Sequence, residues 1–156
     1  MIFNSISSFL DAKKPLSGEF LAVDIGAKKS GFAVSILGGR MSVPSFVFNS
    51  SNEEVLANEI IRVKREKFCN YIVLGFPFAW EEGLSAKRII RIAKMLEERG
   101  ESPLLYDENR TSVKVKQVVF EARGKMTKKE LQNYDASVAS LILSNALDEI
   151  NTFNYD

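Results

Sequence analysis

The chain runs to 156 residues, 46% hydrophobic and 26% charged, with a formal net charge of +1, a size at which one domain buries most of its apolar surface. It has one cysteine and no histidine, which excludes an intramolecular disulfide, hydroxyl or thiol nucleophiles activated by imidazole, and imidazole-bound zinc. Carboxylate chemistry remains, and all-oxygen sites suit magnesium, manganese or calcium.

In chain order, residues 1–18 read as an N-terminal extension in which Ile2, Phe3, Ile6, Phe9 and Leu10 form a short amphipathic stretch before Pro15 and Gly18 interrupt it. It lacks the basic start, long apolar run and cleavage site of a secretory signal, and no stretch of about 18 apolar residues occurs. The expectation is a soluble, cytoplasmic protein with no membrane partner. FLAVDIG (20–26) is an almost continuous apolar run closed by glycine, which predicts a central strand covered on both faces. GFAVSIL (31–37) and SVPSFVF (42–48) follow after Lys28, Lys29, Gly38 and Gly39 in turns, giving a three-stranded antiparallel meander.

Beyond residue 53 the period lengthens. Leu56, Ile60 and Val63 mark a helix, residues 71–75 a buried strand, and Ile89, Ile92, Ala93 and Leu96 a second helix ended by Gly100. SPLLYDE supplies a fifth strand over 103–106. Val115, Val118, Val119 and Ala122 mark a third helix, and residues 133–150 a last one. The order βββαβαβαα predicts an α/β fold, a mixed five-stranded sheet flanked by helices, over residues 19–150, with 151–156 as a tail. Cys69, without metal-ligand neighbours, reads as a core thiol. Residues 110–130 hold seven lysines and arginines against Glu121 and Glu130. That stripe fits docking of a phosphate backbone at one face, although taken alone it fits a solvated helix face, with lysines that serve solubility, somewhat better.

Three carboxylates stand out. Asp24, inside FLAVDIG, needs a partner or a metal because an unpaired buried charge is costly; the alternative is a cap on the turn at Ile25 and Gly26. Asp135 precedes Val138, Ala139 and Ile142 at helical spacing and so shares their core-facing stripe, or else serves as a first-turn acid favoured by the helix dipole. Glu108 ends the fifth strand, and open α/β sheets bind ligands at such carboxyl ends. Asp107 beside it points to the other face. Together the three can supply the oxygen ligands that phosphoryl chemistry asks of magnesium.

At these residues the sequence resembles the YqgF family, also called RuvX, bacterial proteins described as pre-16S rRNA nucleases or Holliday-junction-resolvase-like proteins. VDIGAKKSGFAVS resembles a DxGTK turn followed by GVAVS, IVLGFPFAWEEG a GLPxxxDG loop, DENRTS a DERxST segment, and YDASVASLILSNALD a DxxAAxxIL helix. The likeness spans about residues 20–148. It implies an RNase H-like fold, with Asp24, Glu108 and Asp135 as catalytic metal ligands for Mg²⁺ or Mn²⁺, two ions about 4 Å apart hydrolysing a phosphodiester. Lys28, Lys29 and Arg110 are the candidates for phosphate contacts. The implied partner is nucleic acid, pre-16S rRNA or branched DNA, with ribosomal particles, and the chain acts as a monomer or homodimer.

The sequence departs from the family pattern at Ala27, where threonine is usual, at Asn109, where arginine is usual, and at Lys114, where glutamate is usual. Trp80 and Glu81 occupy the region where the family carries asparagine and aspartate. Loss of the arginine removes a planar donor matched to phosphate, and Arg110, one residue on, points elsewhere along an extended chain. A Holliday junction resolvase and a non-catalytic RNA-binding assembly factor are therefore alternatives to the rRNA nuclease. An actin-like ATPase, whose phosphate hairpin DIGAKKSGFAVS also resembles, needs two such domains and does not fit this length.

Overall fold

The computed structural model describes residues 1–108 and 133–154. Five strands, β1 (Glu19–Asp24), β2 (Lys29–Ile36), β3 (Met41–Asn49), β4 (Cys69–Phe76) and β5 (Leu104–Asp107), form one sheet in the order β3-β2-β1-β4-β5. The β1–β2 and β2–β3 pairs are antiparallel, whereas β1–β4 and β4–β5 are parallel. The expected mixed sheet with an initial meander is therefore what the chain forms. Pro44 is tolerated because β3 is an edge strand whose register shifts beside it, between Phe32 and Ala33 of β2.

Among the described residues four helices cover the sheet: α1 (Ile6–Lys13), α2 (Glu53–Glu66), α3 (Leu84–Glu98) and α4 (Tyr134–Asn154). Parallel strands need crossovers, and α2 and α3 provide them. The predicted helix through Val115, Val118, Val119 and Ala122 and the basic stripe 110–130 lie outside the described residues. No helix among the described residues is long and apolar enough to cross a membrane.

Strand alternation sorts the core into two layers. Leu21 and Val23 of β1 join Phe32, Ile72, Leu74 and Leu105 under α2 and α3. Phe20 and Ala22 join Ala33, Val73, Leu104 and Tyr106 against α1 and α4. Residues before β1 are part of this second layer: Phe9 is fully buried, and Phe3 bridges to Leu104, its N–H donating to the Pro103 carbonyl at 2.9 Å. Cys69 belongs to the α2/α3 layer, and burial pushes its thiol up to about 11.

Candidate active site

Asp24 closes β1, the middle strand, where the sheet meets solvent, and is half-buried there. Its antiparallel partner is Gly31, and directly opposed residues project to the same face. That face is the α4 side, because Phe20, Ala22 and Ala33, at even spacing from the pair, pack there. A Cβ at Gly31 would come within 1.9 Å of the Asp135 carbonyl oxygen and 2.7 Å of the Ala136 nitrogen. The first turn of α4 thus rests on the strand itself, an approach that only glycine permits.

On the other flank of Asp24 the β1–β4 ladder runs to Val23 and Leu74. The next residue, Gly75, therefore lies about one strand spacing, ~4.8 Å, from Asp24. A Cβ at Gly75 would stand 3.7 Å from Glu108 Cβ and 3.8 Å from Glu108 Oε2. Glu108 follows β5 directly, its N–H donating to the Phe76 carbonyl at 3.2 Å. Asp24 is flanked by two glycines, one making room for the backbone of Asp135 and the other lying beside the Glu108 side chain. Asp107 takes the opposite alternation from Tyr106 and Glu108, as the strand period requires.

Among the described residues no three Asp, Glu or Cys side chains are gathered into a group that could hold a metal. The fold brings the backbones of Asp24, Glu108 and Asp135 to one edge and one face of the sheet. Burial pushes the Asp135 carboxyl above its ordinary range, and Lys29 pulls it part of the way back. Lys29, the first residue of β2, is therefore near the Asp135 carboxyl, and both it and Lys28, on the turn before it, are exposed. Arg110, Asn109 and Lys114 lie outside the described residues. The Gly26 N–H, one of the amides a capping role would give to Asp24, instead donates to Ser30 Oγ at 3.3 Å.

No local pattern marks Arg88 as a functional residue. Its side chain is 14% exposed. Nε donates to the Gly26 carbonyl at 3.2 Å, and Nη1 to the Ser51 carbonyl at 3.1 Å and to Glu53 at 3.3 Å. Glu53 also takes two 2.8 Å hydrogen bonds from Arg91, which are the largest cause holding its carboxyl below the ordinary range. This clamp ties α2 and α3 to the turn that carries Lys28 and Lys29.

An antiparallel meander continued by parallel strands, with acidic residues at the strand ends and on the closing helix, is the RNase H-like architecture. Two solved structures share the fold at low identity: T. thermophilus RuvC in complex with Holliday junction substrate (TM-score 0.51, 12% identical, 85% of this chain and 94% of that one) and the large terminase nuclease from thermophilic phage G20c (TM-score 0.52, 17% identical, 85% and 83%). Within that class, the model of the family described as "RuvX: Holliday junction resolvase" matches residues 18–149, and the chain belongs to the RuvX family. Its relatives include proteins named "Putative pre-16S rRNA nuclease" from Chloroflexus aurantiacus, 30% identical over 131 residues (82% of this chain, 85% of the relative), and from Rickettsia bellii, 26% identical over 155 residues (97% and 99%).

Proposed function

We propose that this chain is a metal-dependent nuclease that hydrolyses phosphodiesters in the 5′ maturation of pre-16S rRNA, working in the cytoplasm on ribosomal precursors. The names of its relatives support the substrate. The carrying observation is the glycine pair around Asp24, since Gly31 admits the backbone of Asp135 and Gly75 lies beside the side chain of Glu108.

Asp24, Glu108 and Asp135 would hold Mg²⁺ or Mn²⁺, all-oxygen ligands suited to a hard cation. One or two ions held by these residues would supply Lewis acidity for activating water and stabilising the leaving oxygen. Lys28 and Lys29 hold the phosphate backbone from the exposed turn, with Arg110 as a third contact. Without histidine, the proton of the attacking water passes to a carboxylate or to solvent.

The test is incubation with precursor 16S RNA in Mg²⁺ or Mn²⁺ beside the Asp24→Asn variant. Cleavage by the unaltered chain is expected, reduced at least about a hundredfold in the variant. Undiminished cleavage by Asp24→Asn would remove the metal site from the proposal, and no cleavage by either would favour a non-catalytic RNA-binding role. The family description favours a second substrate, branched DNA. That activity needs a symmetric dimer presenting two sites, so a monomer in sedimentation that leaves four-way junctions intact excludes it.

A further inference from the structure

At the same end of the sheet the chain exposes its single tryptophan. Trp80 is 72% exposed and Leu84, four residues on at the start of α3, 86%. Trp80 closes a one-turn 3-10 helix, Phe78–Trp80, just after β4. The turn is held on both sides: the Trp80 N–H donates to the Pro77 carbonyl at 2.9 Å and the Gly83 N–H to the Trp80 carbonyl at 3.0 Å. Phe78 packs edge-on against buried Phe76, with ring centroids 4.8 Å apart.

Core packing does not account for Trp80, because its indole forgoes the burial that large aromatic side chains normally contribute. It stands five residues past Gly75, at most about 17 Å along the chain from the backbone beside Asp24 and Glu108. Glu81 and Glu82 next to it are exposed and repel phosphate, so the position suits the uncharged face of a base rather than the backbone. Positive charge for the backbone comes from Lys28 and Lys29 instead.

We propose that Trp80 is a base-stacking subsite, on which an unpaired nucleobase close to the scissile phosphate lies against the indole face; the inference rests on the nuclease reading above. Stacking on an aromatic face tolerates any base. Trp80 would therefore impose a single-stranded segment at a fixed reach from the cleaved bond, without selecting base identity.

A lone tryptophan makes this readable by intrinsic fluorescence. The full chain in EDTA is titrated with a single-stranded RNA oligonucleotide, with the same strand in a duplex, and with an abasic ribose-phosphate oligomer of equal length. Quenching by the single strand alone is expected, with binding weakened roughly 5- to 100-fold in Trp80→Ala and largely restored in Trp80→Phe. The thermal midpoint of both variants should stay unchanged. Equal affinity of Trp80→Ala and the unaltered chain, or equal quenching by the abasic oligomer, would overturn the subsite. So would conversion of a dimer to a monomer with RNA affinity intact, which assigns the face to a second copy of the chain. Cleavage assays on Asp24→Asn keep the two readings apart: undiminished cleavage there counts against the metal site, whereas lost cleavage with a neutral Trp80→Ala counts against the stacking subsite alone.

Discussion

Burial at the first turn of α4 pushes the Asp135 carboxyl above the ordinary carboxylate range, and the Lys29 ammonium offsets only part of that rise. A carboxyl raised on folding favours the native state while it is protonated, and that contribution is lost as pH climbs from the ordinary value of 3.8 through the folded one. At neutral pH the Asp135 charge therefore works against stability, as functional groups often do. Asp135→Asn should raise the thermal midpoint in EDTA. The same change should abolish stabilisation by Mg²⁺, which for one bound ion at a hundredfold excess over Kd is about 2.7 kcal/mol. Scanning calorimetry with and without Mg²⁺ checks both, and a lower midpoint in EDTA would count against the assignment. Burial shifts Cys69 in the same direction, its thiol pushed up to about 11. It should resist alkylation at pH 8 until the chain unfolds, and rapid labelling of the native protein would contradict its place in the core.

Where strand meets helix, the two glycines beside Asp24 differ in what an added methyl would strike. Gly31→Ala drives a Cβ into the backbone of Asp135 and Ala136, which should cost about 3 kcal/mol or more and shift α4 away from Asp24. Gly75→Ala meets the Cδ1 end of the Ile142 side chain at 2.9 Å, which can rotate away, so about 1 kcal/mol is expected. Urea unfolding ranks them, and equal costs would mean that α4 does not rest on β2 as described. Much of this was legible in the chain: the run FLAVDIG is the central strand, Asp24 is the charge that ends it, and Asp135 shares the half-buried side of its helix. The contact between Gly31 and Asp135 was not, because residues so far apart in sequence leave no local pattern, although a glycine inside a strand run already hints at close backbone approach. Arg88 was invisible for the same reason: it sits beside the apolar stripe of α3, and its role depends on Gly26, Ser51 and Glu53 arriving from other elements.

At the scale of the molecule, the parallel half of the sheet sends the carboxyl ends of β1, β4 and β5 to one edge, where the closing helix begins, and open α/β sheets bind ligands at such an edge. A net charge of +1 argues against coating of nucleic acid by charge over the whole surface, and the proposed function places the contact at that edge. With Lys28, Lys29 and Arg110 as the phosphate contacts, the slope of log affinity for single-stranded RNA against log salt should be about −2. A slope near −10 would instead indicate broad electrostatic coating. The most direct measurement is anomalous diffraction from crystals soaked in Mn²⁺. The expected result is a peak about 2 Å from oxygens of Asp24, Glu108 and Asp135; manganese bound only elsewhere, with these three carboxylates too far apart to share an ion, would contradict the metal site on which the nuclease reading depends.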